Sequence, residues 1–223
     1  MNGLGPQPGF PFLNKHPFFI FQSKFFTPFL FPISIAYLNP SIAKIKTMKK
    51  ILILPFLLLS MGLMAQTAQF PLVKNFGGIY EIPDAVERPD PSLEYRIIID
   101  LVSPSESPQQ VNRMVENIAR MVNLHGLAGV PKERMKVKVA VHGGAIYSIM
   151  NDTYYEKQYG CTNPNLAVYE ALLEAGVEFY VCGQSLIARD MKTSDLWSGA
   201  KVALSMLTTL TTYVPQGYTL IRF

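Results

Sequence analysis

The pattern of apolar and polar positions becomes regular only from residue 93 onward. Residues 95–102, 137–141 and 177–181 form near-continuous apolar runs rich in β-branched side chains. Such runs predict short strands that are buried on both faces of a sheet. Residues 217–223 predict a last strand.

Apolar residues at helical spacing fill the intervals between these runs. Residues 107–126 predict a helix with Ser107 as its N-cap and Pro108 at its first position. Residues 145–150 predict a short helix, residues 163–176 a longer one that ends at Gly176, and a short helical piece follows Cys182. Residues 199–213 predict the last helix, whose inward-facing side chains are Val202, Met206, Leu207 and Leu210.

This alternation of strands and helices predicts the fold class. Strand, helix, strand units connect by right-handed crossovers, so the sheet is mostly parallel and has helices on both faces. We therefore expect residues 93–223 to form a three-layer α/β/α domain with flavodoxin-like layering. Residues 66–92, with four prolines and two adjacent glycines, predict an extended N-terminal arm with one hairpin that lies on this domain or on a neighbouring subunit.

The first 65 residues have a different character. Prolines interrupt every apolar run in residues 1–47 before it is long enough to span a bilayer, so we interpret this stretch as a disordered, non-native upstream extension. Residues 48–65 contain Lys49 and Lys50, an apolar stretch and a small residue, Ala65, in the order of a secretory signal peptide. Cleavage near Ala65 predicts a periplasmic or secreted protein with no stable membrane span. The alternative is a long, uncleaved, membrane-associating N-terminus.

The net charge of +4 is unevenly distributed. The first 65 residues hold six of the 20 basic residues and none of the 16 acidic ones, which leaves a net charge of −2 on residues 66–223. A basic face on the folded part is therefore not indicated, and we expect no nucleic-acid partner.

Three loops at predicted strand ends could carry chemistry, residues 103–107, 142–144 and 182–185, because ligands of open α/β sheets bind beyond the carboxyl ends of the strands. His142, Gly143 and Gly144 follow the second strand and are candidate binding residues: their amides could accept an anion and the imidazole could transfer a proton. The alternative is a strand-end histidine bonded to a carbonyl group, with the glycines serving a tight turn.

Cys182 is the candidate catalytic residue. It ends the third strand and precedes Gly183, Gln184 and Ser185, whose amides and incipient helix would favour a thiolate. Alternatively, the thiol only fills a pocket at the strand end. Cys161 is the one other cysteine, and two thiols alone do not show whether they pair, although the loop position of Cys161 argues against a structural bridge. The spacing of histidines and cysteines predicts no metal site, and no cofactor is expected.

The segment around Cys182 resembles a known family. Residues 177–189, the preceding Asn163-Pro-Asn-Leu, and residues 199–205 and 216–220 are similar to the centre, last helix and last strand of DsrE/DsrF-like proteins. The resemblance extends over residues 93–223. It implies a three-layer α/β domain that assembles into trimers or hexamers. It also implies that Cys182 matches the cysteine that carries a persulfide between partner proteins in sulfur-relay members.

Two functional hypotheses follow. The first is an exported sulfur carrier that works through Cys182 with a sulfur donor or acceptor protein; it predicts that Cys182 faces a pocket and titrates below a free thiol. The second is a non-catalytic oligomeric binding module that takes a small ligand or a protein partner in its inter-subunit clefts. A flavin or nucleotide enzyme is disfavoured because the loop after the first strand lacks glycine.

Overall fold

The computed structural model describes residues 66–223, which form a five-stranded parallel sheet with the strand order β4-β3-β2-β1-β5. The strands are β1 (Tyr95–Leu101), β2 (Met135–Val141), β3 (Glu178–Cys182), β4 (Ala200–Ala203) and β5 (Thr219–Arg222). The upstream extension and the signal peptide, expected in residues 1–65, lie outside the described residues.

Helices cover both faces of this sheet, as the three-layer expectation requires. They are α1 (Arg113–Leu127), α2 (Asp152–Tyr159), α3 (Leu166–Glu174), α4 (Gly183–Ile187) and α5 (Met206–Tyr213). Helices α1 and α3 contact each other on one face, whereas α5 crosses the other face and contacts β1, β2, β3 and β4. No helix between residues 66 and 223 is long and apolar enough to cross a membrane.

The two sheet faces differ in chemistry because side chains alternate along each strand. Residues such as Ile97, Val139 and Phe179 face α1 and α3 and belong to the hydrophobic core. The opposite face, under α5, carries Lys138 and Glu178, which pair in register across β2 and β3. Cys182 lies an even number of residues from Glu178, so it shares this polar face.

The first helix starts later than the sequence predicted. Residues 107–111 form turns, and Asn112 caps α1 with a side-chain oxygen 2.9 Å from the Met114 amide. Asn112 is buried, and its amide donates to the Asn165 side chain at 2.7 Å. Ser107 is therefore not the helix cap, because tertiary bonds of Asn112 fix the start of the helix instead.

The prediction of one helix over residues 199–213 is wrong. Residues 200–203 form the edge strand β4, which pairs with β3, and α5 begins only after Ser205, whose hydroxyl accepts from the Leu207 amide at 3.2 Å. Val202 and Leu207, expected to face inward, are 48% and 67% exposed. Backbone pairing with β3 outweighs the helical spacing of these apolar residues.

The segment after β2 also differs in detail. Residues 143–149 form a 3₁₀ helix rather than an α-helix over residues 145–150. Helix α2 was not predicted: its Asn151 cap accepts from the Tyr154 amide at 2.8 Å, and Gly160 ends it with φ of 71°. Helix α2 contains too few apolar residues for a helical period to be recognised in its sequence.

The N-terminal arm lies on the domain of its own chain. An antiparallel bridge joins Gln69 to Ile79, and the loop between them is fastened by the buried side chain of Asn123 on α1. The Asn123 oxygen accepts from the Leu72 and Val73 amides at 3.0 and 2.8 Å. Gly77 has φ of 61°, and a Cβ there would lie 2.2 Å from the Arg120 nitrogen, so this approach to α1 requires glycine.

Candidate functional site

Cys182 is the last residue of β3 and the N-cap of α4. In register it pairs with Ala203 of β4, whose chain turns through Leu204 and Ser205 into α5. The thiol therefore lies where the first turns of two helices meet at the carboxyl end of the sheet. This is the edge at which open α/β sheets bind their ligands.

Several donors surround the Cys182 sulfur. Burial by itself would raise the pKa of the Cys182 thiol, but hydrogen bonds from the Ser185 hydroxyl, the Met206 and Ser185 amides and the Ser205 hydroxyl outweigh it. The pKa of Cys182 consequently lies below its usual value. The Sγ atom is 4.0 Å from the Ser205 Oγ. The site favours a thiolate.

The residues after Cys182 contribute differently from what was predicted. Ser185 supplies both a hydroxyl and an amide, whereas the second amide comes from Met206, not from Gly183 or Gln184. Gly183 has a packing role, since a Cβ there would lie 2.9 Å from the Ala203 carbonyl oxygen. Gln184 is exposed. The contribution of Met206 was not predicted, because it depends on the pairing of β4 with β3, and the sequence predicted a helix where β4 lies.

The thiol is more enclosed than expected. Cys182 is 5% exposed. It lines neither the cavity of about 570 Å³ beside the N-terminal arm nor the cavity of about 200 Å³ beside Gly144. The sulfur nevertheless lies beside hydrogen-bond donors of Ser185, Ser205 and Met206, and Cys182 is not a member of the hydrophobic core cluster.

His142 is directed away from Cys182. Its Nε2 lies 2.6 Å from the Asp100 Oδ1, and the Asp100 Oδ2 lies 3.3 Å from the Arg222 Nε. Asp100 is on β1, and β2 separates β1 from β3, so this pairing draws the imidazole to the far side of its own strand. His142 is not among the hydrogen-bond partners of the thiol.

Gly143 and Gly144 form a tight turn against the loop after β1. Gly143 has φ of 56°, and a Cβ there would lie 2.7 Å from the Val102 Cγ2. A Cβ on Gly144 would lie 2.9 Å from Pro104. Gly144 and Pro104 also line a cavity of about 200 Å³, whose other walls include Tyr147, Tyr155 and Tyr159.

A second polar group lies on the same sheet face, nearer the strand starts. We call it the lysine–tyrosine cluster; its members are Lys138, Glu178, Tyr180, Lys201 and Tyr213. Glu178 accepts from Lys138 at 2.6 Å, Tyr180 at 2.8 Å and Lys201 at 2.7 Å. The Lys138 Nζ lies 4.8 Å from the Tyr213 ring centre. Lys138 and Glu178 interrupt the apolar runs of β2 and β3 and could have signalled this group, but the near-continuous runs predicted strands buried on both faces.

These contacts set the ionisation of Glu178. Burial would raise its pKa, but hydrogen bonds from Lys138, Lys201 and Tyr180 outweigh this effect and lower the pKa to about 2. Glu178 is therefore a carboxylate at neutral pH, beneath α5 and four residues before Cys182 along β3.

Cys161 and Cys182 are both free thiols. The Cys161 Sγ donates to the Pro108 carbonyl oxygen at 3.8 Å, in the loop between α2 and α3. In the described part of the chain, no three histidine, cysteine, aspartate or glutamate side chains are grouped so that they could hold a metal ion.

The chain is similar to one protein family over most of its described residues. The sequence profile of the DsrE/DsrF-like family matches residues 96–223. No curated protein matches the chain. A solved structure of a protein of unknown function, MTH1491 from Methanobacterium thermoautotrophicum, is 19% identical; the match covers 58% of this chain and 99% of that one with a TM-score of 0.42.

Proposed function

This chain belongs to the DsrE/DsrF-like family, and we propose that it is a sulfur carrier whose Cys182 takes up and releases sulfane sulfur as a persulfide. The observation that supports this most strongly is the set of donors around the thiol, which lowers its pKa. In sulfur-relay members of the family the cysteine matched by Cys182 has this role, according to the resemblance of residues 177–189.

A thiolate serves both halves of such a transfer. In loading, the Cys182 Sγ attacks the outer sulfur of a donor persulfide. A bond forms between the two sulfur atoms, the bond within the donor persulfide breaks, and the donor leaves as a thiolate. In unloading, an acceptor thiolate attacks the outer sulfur and Cys182 leaves as a thiolate. No net oxidation or reduction occurs, and the donors that lower the Cys182 pKa also make it a better leaving group.

Loading requires that a donor reach the enclosed sulfur. The short turn from Leu204 to the first residues of α5 contacts the thiol, since the Cys182 Sγ lies 4.0 Å from the Ser205 Oγ. We propose that a small displacement of this turn opens the site. Loops with exposed apolar side chains and few buried contacts are the part of a fold that opens at the least cost.

Exposed apolar side chains near this turn support a protein partner or a second subunit. Ile187 ends α4, Leu204 follows β4 and Leu207 lies in the first turn of α5; their exposures are 74%, 73% and 67%. Grouped exposed apolar residues indicate interaction surfaces. We propose a homo-oligomer, a trimer or hexamer by resemblance, in which this surface receives another subunit or the sulfur donor or acceptor. Export through residues 48–65 would place the carrier in the periplasm or outside the cell.

Intact mass spectrometry tests the carrier role. After incubation with inorganic polysulfide and desalting, the protein and its Cys161→Ser variant should each gain about 32 mass units at Cys182, a gain that dithiothreitol reverses. The Cys182→Ser variant should gain none there. If Cys182 stays unmodified and inert to alkylation in the native protein, the non-catalytic binding module becomes the better function.

A further inference from the structure

A second site lies at the opposite end of the sheet from Cys182. The arm, the start of β1 and the last turn of α1 enclose a cavity of about 570 Å³, which we call the arm cavity. Its walls include Tyr80, Ile82, Leu93, Tyr95, Leu124 and His125. Sites for small organic molecules occupy about 300–1,000 Å³, so this volume is within their usual range.

The walls are apolar although they face solvent. Tyr80, Ile82, Leu93 and Leu124 are among the large hydrophobic side chains that remain exposed in the described residues. Single exposed apolar residues need no explanation, but four that converge on one concavity indicate a ligand surface.

Three charged side chains border the cavity, and all three are exposed to solvent: Glu87, Arg88 and Asp90. The Arg88 guanidinium is 2.9 Å from the Glu81 carboxylate, and the Asp90 carboxylate accepts from the Ser92 amide at 2.8 Å. Solvent screens these exposed charges, so the apolar walls decide the choice of ligand and favour an uncharged one.

His125 supplies a directional polar group in the lining. Its Nδ1 lies 2.9 Å from the Met121 carbonyl oxygen, and because a carbonyl only accepts, the Nδ1 carries the proton. In the neutral ring the Nε2 is then an acceptor. Nε2 has no partner among residues 66–223, and since no fully buried side-chain nitrogen or oxygen there lacks a partner, Nε2 is at least partly accessible, in a residue that lines the cavity. An edge-to-face contact with Tyr95, at 4.6 Å between ring centres, fixes the ring.

We propose that the arm cavity binds an uncharged, largely apolar molecule with one hydroxyl or N–H group that donates to the His125 Nε2. The apolar body packs against the leucine, isoleucine and tyrosine walls. The donor group sets the orientation of the ligand, because the contact between the His125 and Tyr95 rings fixes the direction of the Nε2 acceptor. The site is separate from the sulfur chemistry proposed for Cys182.

Two probe molecules of matched shape test this. 2-Naphthol carries a hydroxyl donor and 2-methoxynaphthalene does not. By ligand-observed NMR, the purified protein should bind 2-naphthol about 3- to 10-fold more tightly, the usual effect of one hydrogen bond. In His125→Phe this ratio should fall to about one, whereas Leu93→Trp should abolish binding of both probes by filling the cavity. Leu173→Trp, at an exposed position of α3 outside the cavity lining, is the matched control and should bind both probes as before.

Three outcomes would overturn the proposal. The first is no saturable binding of 2-naphthol by the folded protein up to about 1 mM. The second is binding that Leu93→Trp leaves unchanged, which would place the probe elsewhere. The third is a fall in molar mass of Leu93→Trp relative to the parent in analytical ultracentrifugation, which would show that a second copy of the chain covers the cavity. Circular dichroism of each variant confirms that it is folded.

Discussion

The Cys182 Sγ lies 4.0 Å from the Ser205 Oγ, and the same oxygen accepts a hydrogen bond from the Leu207 amide at 3.2 Å. One hydroxyl thus connects the end of β3 with the start of α5. Ser205 both caps the helix and contributes to the low pKa of the thiol.

Two serine variants separate these roles. Ser185→Ala removes a donor to the sulfur without removing a helix cap, so we expect it to raise the Cys182 pKa. Ser205→Ala should raise the Cys182 pKa by less and also destabilise the protein by about 1 kcal/mol through loss of the cap. The alkylation rate as a function of pH gives the first quantity and urea unfolding the second. Equal thiol pKa values in the parent and Ser185→Ala would contradict the assigned hydrogen bond.

His142→Ala should leave the chemistry of Cys182 unchanged, because the imidazole is bonded to Asp100 on β1. We expect the rate of Cys182 alkylation at neutral pH to stay within about twofold of the parent value. Stability should fall by about 1–3 kcal/mol, since the buried Asp100 carboxylate loses a partner. A tenfold or larger loss of thiol reactivity in a folded variant would instead place His142 in the sulfur site.

Asn123→Ala should release the arm. The side chain holds the Leu72 and Val73 amides and donates to the Phe76 and Gly77 carbonyl oxygens. We expect a loss of about 3 kcal/mol in unfolding free energy and rapid proteolysis within residues 66–92. Asn117→Ala, on the same helix, is the control and should change stability by less than about 0.5 kcal/mol. Unchanged protease resistance in Asn123→Ala would show that other contacts hold the arm.

Glu178 should make the protein sensitive to acid. Its pKa is lowered to about 2 from an ordinary 4.5, so its contribution to stability is complete above about pH 4.5 and disappears as the pH falls toward 2. Because the side chain is 36% exposed, solvent screening reduces that contribution to about 1–2 kcal/mol. Glu178→Gln should lose this amount at pH 7 and show a flatter decline in acid.

The measurement is a series of urea unfolding curves between pH 7 and pH 2.5, with the exposed Glu174→Gln as control. The parent and Glu178→Gln curves should converge toward the acid end of the series. A difference in unfolding free energy that stays constant across this range would mean that the substitution acts through packing and not through charge.

The fold class could be predicted from the sequence because three of its strands are long apolar runs. β1, β2 and β3 fall within one or two residues of the predicted positions, and the layering follows from the helices between them. β4 could not be predicted, because its exposed Val202 has the spacing of a helix and only the pairing with β3 makes it a strand. Helix α2 has too few apolar residues to show a period.

The candidate site was predicted in part. The position of Cys182 at a strand end followed from the apolar run before it, and Ser185 from its place in the next turn. The contributions of Ser205 and Met206 depend on β4 lying beside β3, a long-range pairing that the local pattern does not contain. The Asp100 partner of His142 was hidden for the same reason, since Asp100 lies in a run that predicts only a buried strand.

The central claim is that Cys182 is a thiolate that a small reagent can reach in the folded protein. The most direct measurement is the rate of iodoacetamide alkylation of Cys182 between pH 5 and pH 10 in the Cys161→Ser variant, followed by intact mass under native conditions. We predict complete modification with a midpoint below about 8.5, the usual pKa of a free thiol. No modification of the folded protein, or a midpoint at or above that value, would contradict the account.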